Sequence, residues 1–381
     1  MAQAGALRAK PSYDARWVSL IFTAVMAGLV MAFSASYPNA SRGSDLPGDA
    51  FHFFKMHALF VALGLVLMVV MANIKPSTLN KAALFGFVTS LAAVLFTIIF
   101  CVATGAKQRG AMQWLPLGPF NLQPSEFAKV FFVIYVASRL SLGPVVGKTF
   151  ARVGYKIALA TGAFILLLVV QGDQGMAVLV FLIMLGMCYL GATPLPLIGG
   201  ALATAGLAAA LLAFSNAERT ERILSWVDPV GHKTGAGYHI LTMLVATSRG
   251  WIGGLGLGMC PDKWRTMPEP HTDSIFCVMG SELGLIGLVL FLLLMAAIVR
   301  RAFQIAQWSR DGFSYFLVCG LAIMLAAQAL INMAVATNLM PVTGLTLPYI
   351  SYGGSSLLSC LMAAGIILSV YRNNPPLRKE E

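Results

Sequence analysis

The chain has 381 residues, 58% of them hydrophobic and only 11% charged, with a mean hydropathy of +0.79. A soluble globule carries about 25% charged residues, so this composition excludes a pair of soluble domains and points to a surface that faces lipid. The formal net charge of +11 is placed in segments flanking apolar runs, which explains it without nucleic-acid binding.

The chain begins with a basic stretch, Met1 to Trp17, holding Arg8, Lys10 and Arg16. A signal peptide starts in the same way, but the apolar run that follows is long and no small-residue cleavage site closes it, so it reads as a retained first span. Apolar runs follow at 17–36, 52–73, 82–104, 123–142, 153–171, 174–193, 195–214, 275–299, 312–336 and 349–371. Each approaches the roughly 20 residues a helix needs to cross about 30 Å of hydrocarbon. None alternates apolar with polar residues as barrel strands do. The expectation is an all-α integral membrane protein of about ten transmembrane helices, one polytopic domain over 1–381, with tails at 1–16 and 372–381.

Lysine and arginine set the orientation. With the N-terminus inside, cytoplasmic segments hold Lys75 and Lys81, then Arg139, Lys148, Arg152 and Lys156, then Arg300, Arg301 and Arg310, and finally Arg372, Arg378 and Lys379. The first two external loops hold Arg42, then Lys107 and Arg109. Both termini are therefore expected in the cytoplasm. The large loop 215–275, between the seventh and eighth spans, falls outside the cell and exceeds ordinary connection lengths. Its Trp226, Tyr238, Trp251 and Trp264 predict short amphipathic or re-entrant helices at the membrane surface. The six cysteines and five histidines form no disulfide framework and no metal spacing.

Charges in or beside spans are costly and usually have a reason. Glu126 and Lys129, at the head of the fourth run after Pro124, are i,i+3 and can pair on one face. That pair is either a structural tie between helices or a lysine oriented toward an anionic head group. Asp173 lies in a short Gly-Asp-Gln-Gly turn and suits a helix cap. The run Arg249 to Gly258, RGWIGGLGLG, has no preceding strand, so its glycines serve close packing or a sharp turn rather than a nucleotide. Glu269, His271 and Asp273 cluster just before the eighth run. A half-shielded carboxylate there can act as a base, while Thr272 or Asp273 can equally cap the helix; local sequence alone favours the cap. Glu282, about two turns into that run, should face the interior and needs a partner. Between Leu339 and Ser356, two prolines and three glycines predict a broken helix lining a cavity, a pattern also found in transporters.

Six segments in this order resemble the SEDS family (shape, elongation, division and sporulation): GLVMAFSAS; GAMQW with QPSEFAK; GDQG; ERILSWVDP with GAGYHI; Lys263 through PEPHTDSIF to GSELGLIG; and LMPVTGLTLPYISYGGSS. The resemblance spans nearly the whole chain and is nearer the division branch, FtsW, than RodA or SpoVE. It implies a peptidoglycan polymerase, an inverting glycosyltransferase that joins lipid II units at the outer face of the bacterial cytoplasmic membrane, at the division septum, with undecaprenyl pyrophosphate leaving. Asp273 matches the family's catalytic aspartate, which turns the balance from cap to base. Lys129 matches the motif lysine, as a pyrophosphate ligand or for structuring the site. Arg222 and Lys263 match basic positions, with Lys107 and Arg109 as further pyrophosphate candidates. Glu126, Trp114, Asp173, Glu269, His271, Glu282 and Ser351 are the implied supporting residues.

The implied partners are lipid II and undecaprenyl-linked glycan, a class B penicillin-binding protein as transpeptidase, other division proteins and membrane lipids. No tightly bound cofactor is implied; a divalent cation, Mg2+ or Mn2+, is the candidate bridge across the substrate's phosphates. The chain departs from the family pattern at Gln113, where an arginine or small residue is common, and at Gly172, Ser281 and His239. These departures mark a divergent member. A lipid II flippase or other transporter, or a non-catalytic division scaffold, remain the alternative readings.

Overall fold

In a computed structural model, residues 13–41, 49, 51–105, 111–118, 120–143, 153–215, 217–232, 235–265 and 267–374 are described. The chain runs through α1 (Ala15–Ser41), α2 (His52–Asn73) and α3 (Pro76–Thr104), then a hairpin of β1 (Leu115–Leu117) and β2 (Phe120–Leu122). Next come α4 (Pro124–Leu140), α5 (Tyr155–Gln171), α6 (Gln174–Leu190), α7 (Leu195–Ala213), α8 (Ala217–Val227), α9 (Ala236–Arg249) and the four-residue α10 (Asp262–Arg265). The last three are α11 (Ile275–Gln307), α12 (Gly312–Ala336) and α13 (Gly354–Asn373).

A helix lies on each of the ten apolar runs, and seven (α1, α2, α3, α7, α11, α12 and α13) are long and apolar enough to cross a membrane. The apolar helices α5 and α6 have 17 residues each, and so does α4, which carries Glu126 and Lys129 in its first two turns. The expected all-helical fold needs one correction. The segment before α4 folds into an antiparallel hairpin, with Leu115 opposite Leu122 and Leu117 opposite Phe120, turning at Gly118 with φ +67°. Three-residue strands are too short for period-two alternation to register in a sequence. The last run is also corrected: residues 349–353 are not helical, and α13 starts at Gly354. The glycine pair Gly353-Gly354 and the left-handed Tyr349, φ +65°, delay the helix.

The centre of the bundle is α12 and α13, whose side chains are buried on almost every face. Around them pack α2, α4, α6 and α11. Helix α7 buries none of its residues and touches only α6 and α8 substantially. An all-apolar helix left this exposed by its neighbours is stable in hydrocarbon, which supplies its apolar surroundings.

Loop 250–256 locks into α11. The long helix breaks at Gly284, φ +65° and ψ −166°, and its freed backbone groups bond to the loop. Leu255 and Gly256 N–H donate to Ser281 and Glu282 carbonyls at 3.0 Å each, and Leu285 N–H donates to Trp251 O at 2.9 Å. A Cβ on Gly254 would stand 2.2 Å from Glu282 O, and one on Gly284 2.3 Å from Gly254 N. The glycine run is thus a close-packing device, and a helix break is tolerated here because the loop pairs the freed groups.

Two buried ion pairs join distant parts of the chain. Lys129 Nζ on α4 pairs with Glu126 and donates to Gln328 Oε1 of α12 at 2.7 Å, while Ser359 of α13 donates to Glu126 Oε2 at 3.0 Å. Lys263 Nζ on α10 donates to Glu282 Oε1 of α11 at 2.5 Å and to Ser34 O of α1 at 2.9 Å; Ser34 Oγ in turn donates to Glu282. All four ions are buried. Removing one member of such a pair strands a charge in low dielectric, at a cost of about 3–5 kcal/mol.

Asp173 caps α6, accepting from Met176 N–H at 3.0 Å, and accepts from Gln123 Nε2 at 3.0 Å. Burial, reinforced by the Glu126 charge, pushes its carboxyl up to about 6. The folded chain therefore holds a proton there that the unfolded chain releases near pH ~4.

Two stability predictions follow from these contacts. Lys263→Met alone should lower the apparent Tm strongly, whereas Lys263→Met with Glu282→Leu should recover most of the loss, since matched apolar groups replace a buried pair at little cost. Thermal unfolding of both in one detergent checks this, and equal losses would show that the pair is not the source. For Asp173, native proton binding exceeds unfolded binding between its two pKa values, so its contribution to stability falls as pH rises from about 4 to about 6 and then levels off. Asp173→Asn should remove that decline. The Tm difference, variant minus parent, is expected to be more positive at pH 7 than at pH 4.

Candidate site at the head of α11

The segment 267–274 is held by residues far away in sequence. Helix α11 begins at Ile275 with Ser274 as its cap residue, and no side chain caps it. Neither Thr272 nor Asp273 plays the capping role that local sequence favours. Ser274 Oγ instead donates to Pro268 O at 3.2 Å and meets His239 Nε2 of α9 at 2.9 Å. On α12, Asn332 Nδ2 donates both to Asp273 O at 3.1 Å and to Leu345 O at 2.7 Å. Tyr352 N–H donates to His271 O at 2.8 Å. Asp273 therefore sits on a backbone fixed from α12 and from the segment before α13, with its side chain left over for chemistry.

The Asp273 carboxyl is half-buried, and its proton affinity is raised above the ordinary carboxylate range. Burial is the main cause, and the Glu269 charge adds to it; His239, the residue's own N–H and the Thr272 hydroxyl act in the opposite direction. Thr272 Oγ1 lies between the two acids, 3.3 Å from Asp273 Oδ1 and 3.5 Å from Glu269 Oε2. Glu269 occupies the left-handed region at φ +48° between two prolines. That conformation costs a non-glycine residue of the order of 1–3 kcal/mol and is concentrated at functional sites.

A pocket of about 290 Å³ opens beside these acids. One wall is Glu269, His271 and Thr272; the others come from Met56 and Phe60 of α2, from Trp114, Phe120 and Asn121 around the hairpin, and from Tyr352, Gly353 and Gly354 at the head of α13. Aromatic contacts build its floor: Phe53 to His271 at 4.8 Å, Phe53 to Tyr352 at 5.5 Å and His271 to Tyr352 at 5.4 Å between ring centroids. Among the described residues the lining contains one carboxylate, Glu269, and no lysine or arginine. Two glycines, Gly353 and Gly354, line the pocket at the start of α13.

The expected site residues divide into three groups. Glu269, His271 and Trp114 line the pocket; Asp273 does not line it but follows Thr272, which does and whose Oγ1 lies 3.3 Å from Asp273 Oδ1, and Ser351, next to the lining Tyr352, accepts Leu347 N–H at 2.8 Å. Lys129, Glu126, Lys263 and Glu282 lie elsewhere, sealed into the two buried pairs. Asp173 joins the site's outer frame through Gln123, whose Nε2 also donates to Gln113 Oε1 at 2.9 Å. Arg222 lies half-buried on α8 and does not line the pocket. Lys107 and Arg109 lie outside the described residues.

Sequence reasoning missed His239, Gln328 and Asn332. The last two are an i,i+4 pair of amides in a 25-residue apolar helix, a signal of an inward polar stripe that was there to be read. Asn121 and Phe120 had no signal, because the hairpin that presents them was not foreseen. Among the described residues no group of three or more His, Cys, Asp or Glu is arranged to hold a metal.

The chain resembles known proteins over nearly its whole length. The family model described as "Cell cycle protein", FTSW_RODA_SPOVE, matches residues 15–375. A probable peptidoglycan glycosyltransferase FtsW from Geobacter sp. (strain M18) is 33% identical over 364 residues, covering 96% of this chain and 98% of that protein. Stage V sporulation protein E from Bacillus subtilis (strain 168) is 34% identical over 373 residues, covering 95% and 98%. Among solved structures, a chain of a peptidoglycan synthase complex that coordinates polymerization and crosslinking superposes with a TM-score of 0.77 at 29% identity, covering 95% and 98%. The rod shape determining protein RodA of Thermus thermophilus superposes at 0.69 with 26% identity, covering 96% and 98%. With its family model matched along nearly its whole length, the chain belongs to the FtsW/RodA/SpoVE family of cell cycle proteins.

Proposed function

We propose that this chain is a peptidoglycan glycosyltransferase that polymerises lipid II into glycan strands, with Asp273 as the general base. The observation that carries the reading is the half-buried Asp273 carboxylate, fixed by its backbone beside a pocket of aromatic rings and one further acid. Aromatic faces and acceptor oxygens suit a sugar ring.

In the proposed step, Asp273 takes the proton of the acceptor sugar's 4-hydroxyl as its oxygen attacks the anomeric carbon of the donor chain. The bond from that carbon to the pyrophosphate oxygen breaks, and undecaprenyl pyrophosphate leaves with the electron pair. A single displacement inverts the α linkage of the donor to a β linkage in the product. Countercharge for the leaving group comes from outside the pocket, with Arg222, Lys107, Arg109 and a substrate-borne Mg2+ or Mn2+ as the candidates. Lys129 and Lys263 have their charges matched by Glu126 and Glu282, and they serve to hold the helices that frame the site.

The chain's place in the cell follows the same reading. All ten apolar helices span the bacterial cytoplasmic membrane, both termini lie in the cytoplasm and the α8–α10 region lies outside, as the lysine and arginine distribution favours. The resemblance to the FtsW branch supports work at the division septum. A class B penicillin-binding protein as partner is supported by the likeness to a chain of a complex that couples polymerization to crosslinking.

Purified protein with its transpeptidase, given labelled lipid II, should make glycan strands resolved on a gel. Asp273→Asn should reduce that rate by about 10²–10⁴-fold, the usual contribution of a positioned base. Movement of lipid II across vesicles without polymer would favour a flippase, and full division in cells carrying Asp273→Asn would favour a scaffold. The pH dependence is a separate check. The base must be ionised, so kcat/KM should fall as pH drops through the raised Asp273 pKa, above the ordinary carboxylate range. Glu269→Gln removes a charge that raises that pKa and should move the acid limb to lower pH.

A further inference from the structure

His239 lies on α9, remote in sequence from the PEPHTDSIF segment, yet its ring reaches that segment through Ser274. The hydrogen bonds fix which nitrogen carries the proton. Ser274 Oγ has a single proton and donates it to Pro268 O at 3.2 Å, so at 2.9 Å from His239 Nε2 it accepts. Nε2 therefore keeps its N–H in both charge states, and protonation takes place at Nδ1. The ring can gain a positive charge without breaking its anchor. It is half-buried, so the proton has access to water.

Around this ring the charges are unevenly placed. On the 267–274 segment stand Asp273 and Glu269; on α11, Cys277 faces Thr247 of α9 and Asp273; on α8, the Glu221 carboxylate lies at the Gly235 turn that leads into α9. Burial and the Glu269 charge raise the proton affinity of Asp273, and the His239 ring is the neighbour that acts in the opposite direction.

We propose that His239 is a positioning residue for the base: its imidazolium, anchored on Ser274, keeps Asp273 ionised between turnovers. The inference rests on the reading of Asp273 as base. It also accounts for one of the chain's departures, since the family pattern has glutamine where His239 stands. A glutamine side chain can keep the donor bond to Ser274 but brings no charge, so His239→Gln separates an electrostatic role from a structural one.

The test is the pH profile of kcat/KM for lipid II polymerisation, from pH 5 to 9, with the protein and its transpeptidase partner. His239→Gln should shift the acid limb to higher pH by half a unit or more while leaving the rate at pH 9 within about twofold of the parent. His239→Arg, which restores a cation, should bring the limb back. Ser274→Ala, which frees the ring without removing it, should shift the limb in the same direction by a smaller amount. A His239→Gln profile that superimposes on the parent overturns the inference. Retained polymerisation by Asp273→Asn would instead overturn the base reading itself, so the two failures are distinguishable.

Discussion

A charge carried into a low-dielectric interior must be matched there, and this requirement organises the molecule. Glu126 with Lys129 and Glu282 with Lys263 are each completed by amides or hydroxyls from other helices. The first pair ties α4 to α12 and α13; the second ties α1 and α10 to α11. Gln328 extends the first network to Thr346 O at 3.0 Å and Ser356 Oγ at 3.2 Å. The loop before α13, with Tyr352 and its glycines, is thereby fixed where it faces the pocket. Because the two lysines are matched in place, they are not left as free cations, and the pocket next to the Asp273 segment is framed by aromatic rings and one acid, Glu269.

This partition has a chemical consequence. A base that works on a sugar hydroxyl needs a proton affinity near the working pH, which partial burial supplies. An ammonium group beside it would hold it ionised but too weak a base. A glutamate alone would push it toward the protonated form. The geometry at the head of α11 lies between these limits, with Glu269 raising the proton affinity and a half-buried imidazole lowering it. Thr272, within reach of both acids, lets one hydroxyl favour either carboxylate as the proton moves.

The apolar runs were legible because lipid imposes a length and a composition that few other environments require. The Glu126–Lys129 pair was legible because i,i+3 spacing on a helix dictates contact whatever the tertiary structure. The need for a Glu282 partner followed from the cost of burying a charge, but its identity did not: Lys263 is 19 residues away across a loop and a broken helix. The cap at Asp273 was a reasonable local inference and was overridden by distant contacts from His239 and Asn332 that no window around the residue contains. The hairpin escaped because three residues of strand leave no periodic trace. Its role as a pocket wall can be seen only once α2 and α13 are packed beneath it.

The departures from the family pattern gain a physical meaning from where they sit. Gln113 does not point to an open phosphate site; it meets Gln123, which meets Asp173, forming a neutral relay that joins the hairpin to the first turn of α6. The relay itself brings no charge to the Asp173 carboxyl, whose upward pKa shift comes mainly from burial. Ser281 is buried beside Glu282, where a second carboxylate would compete for Lys263 and for the closely packed loop at Gly254. His239 adds a potential cation next to the proposed base. Of these changes only His239 falls beside Asp273; Gln113 sits on the outer frame and Ser281 beside the buried Lys263–Glu282 pair, while the Asn332 and Tyr352 hydrogen bonds that hold the Asp273 segment involve none of the three.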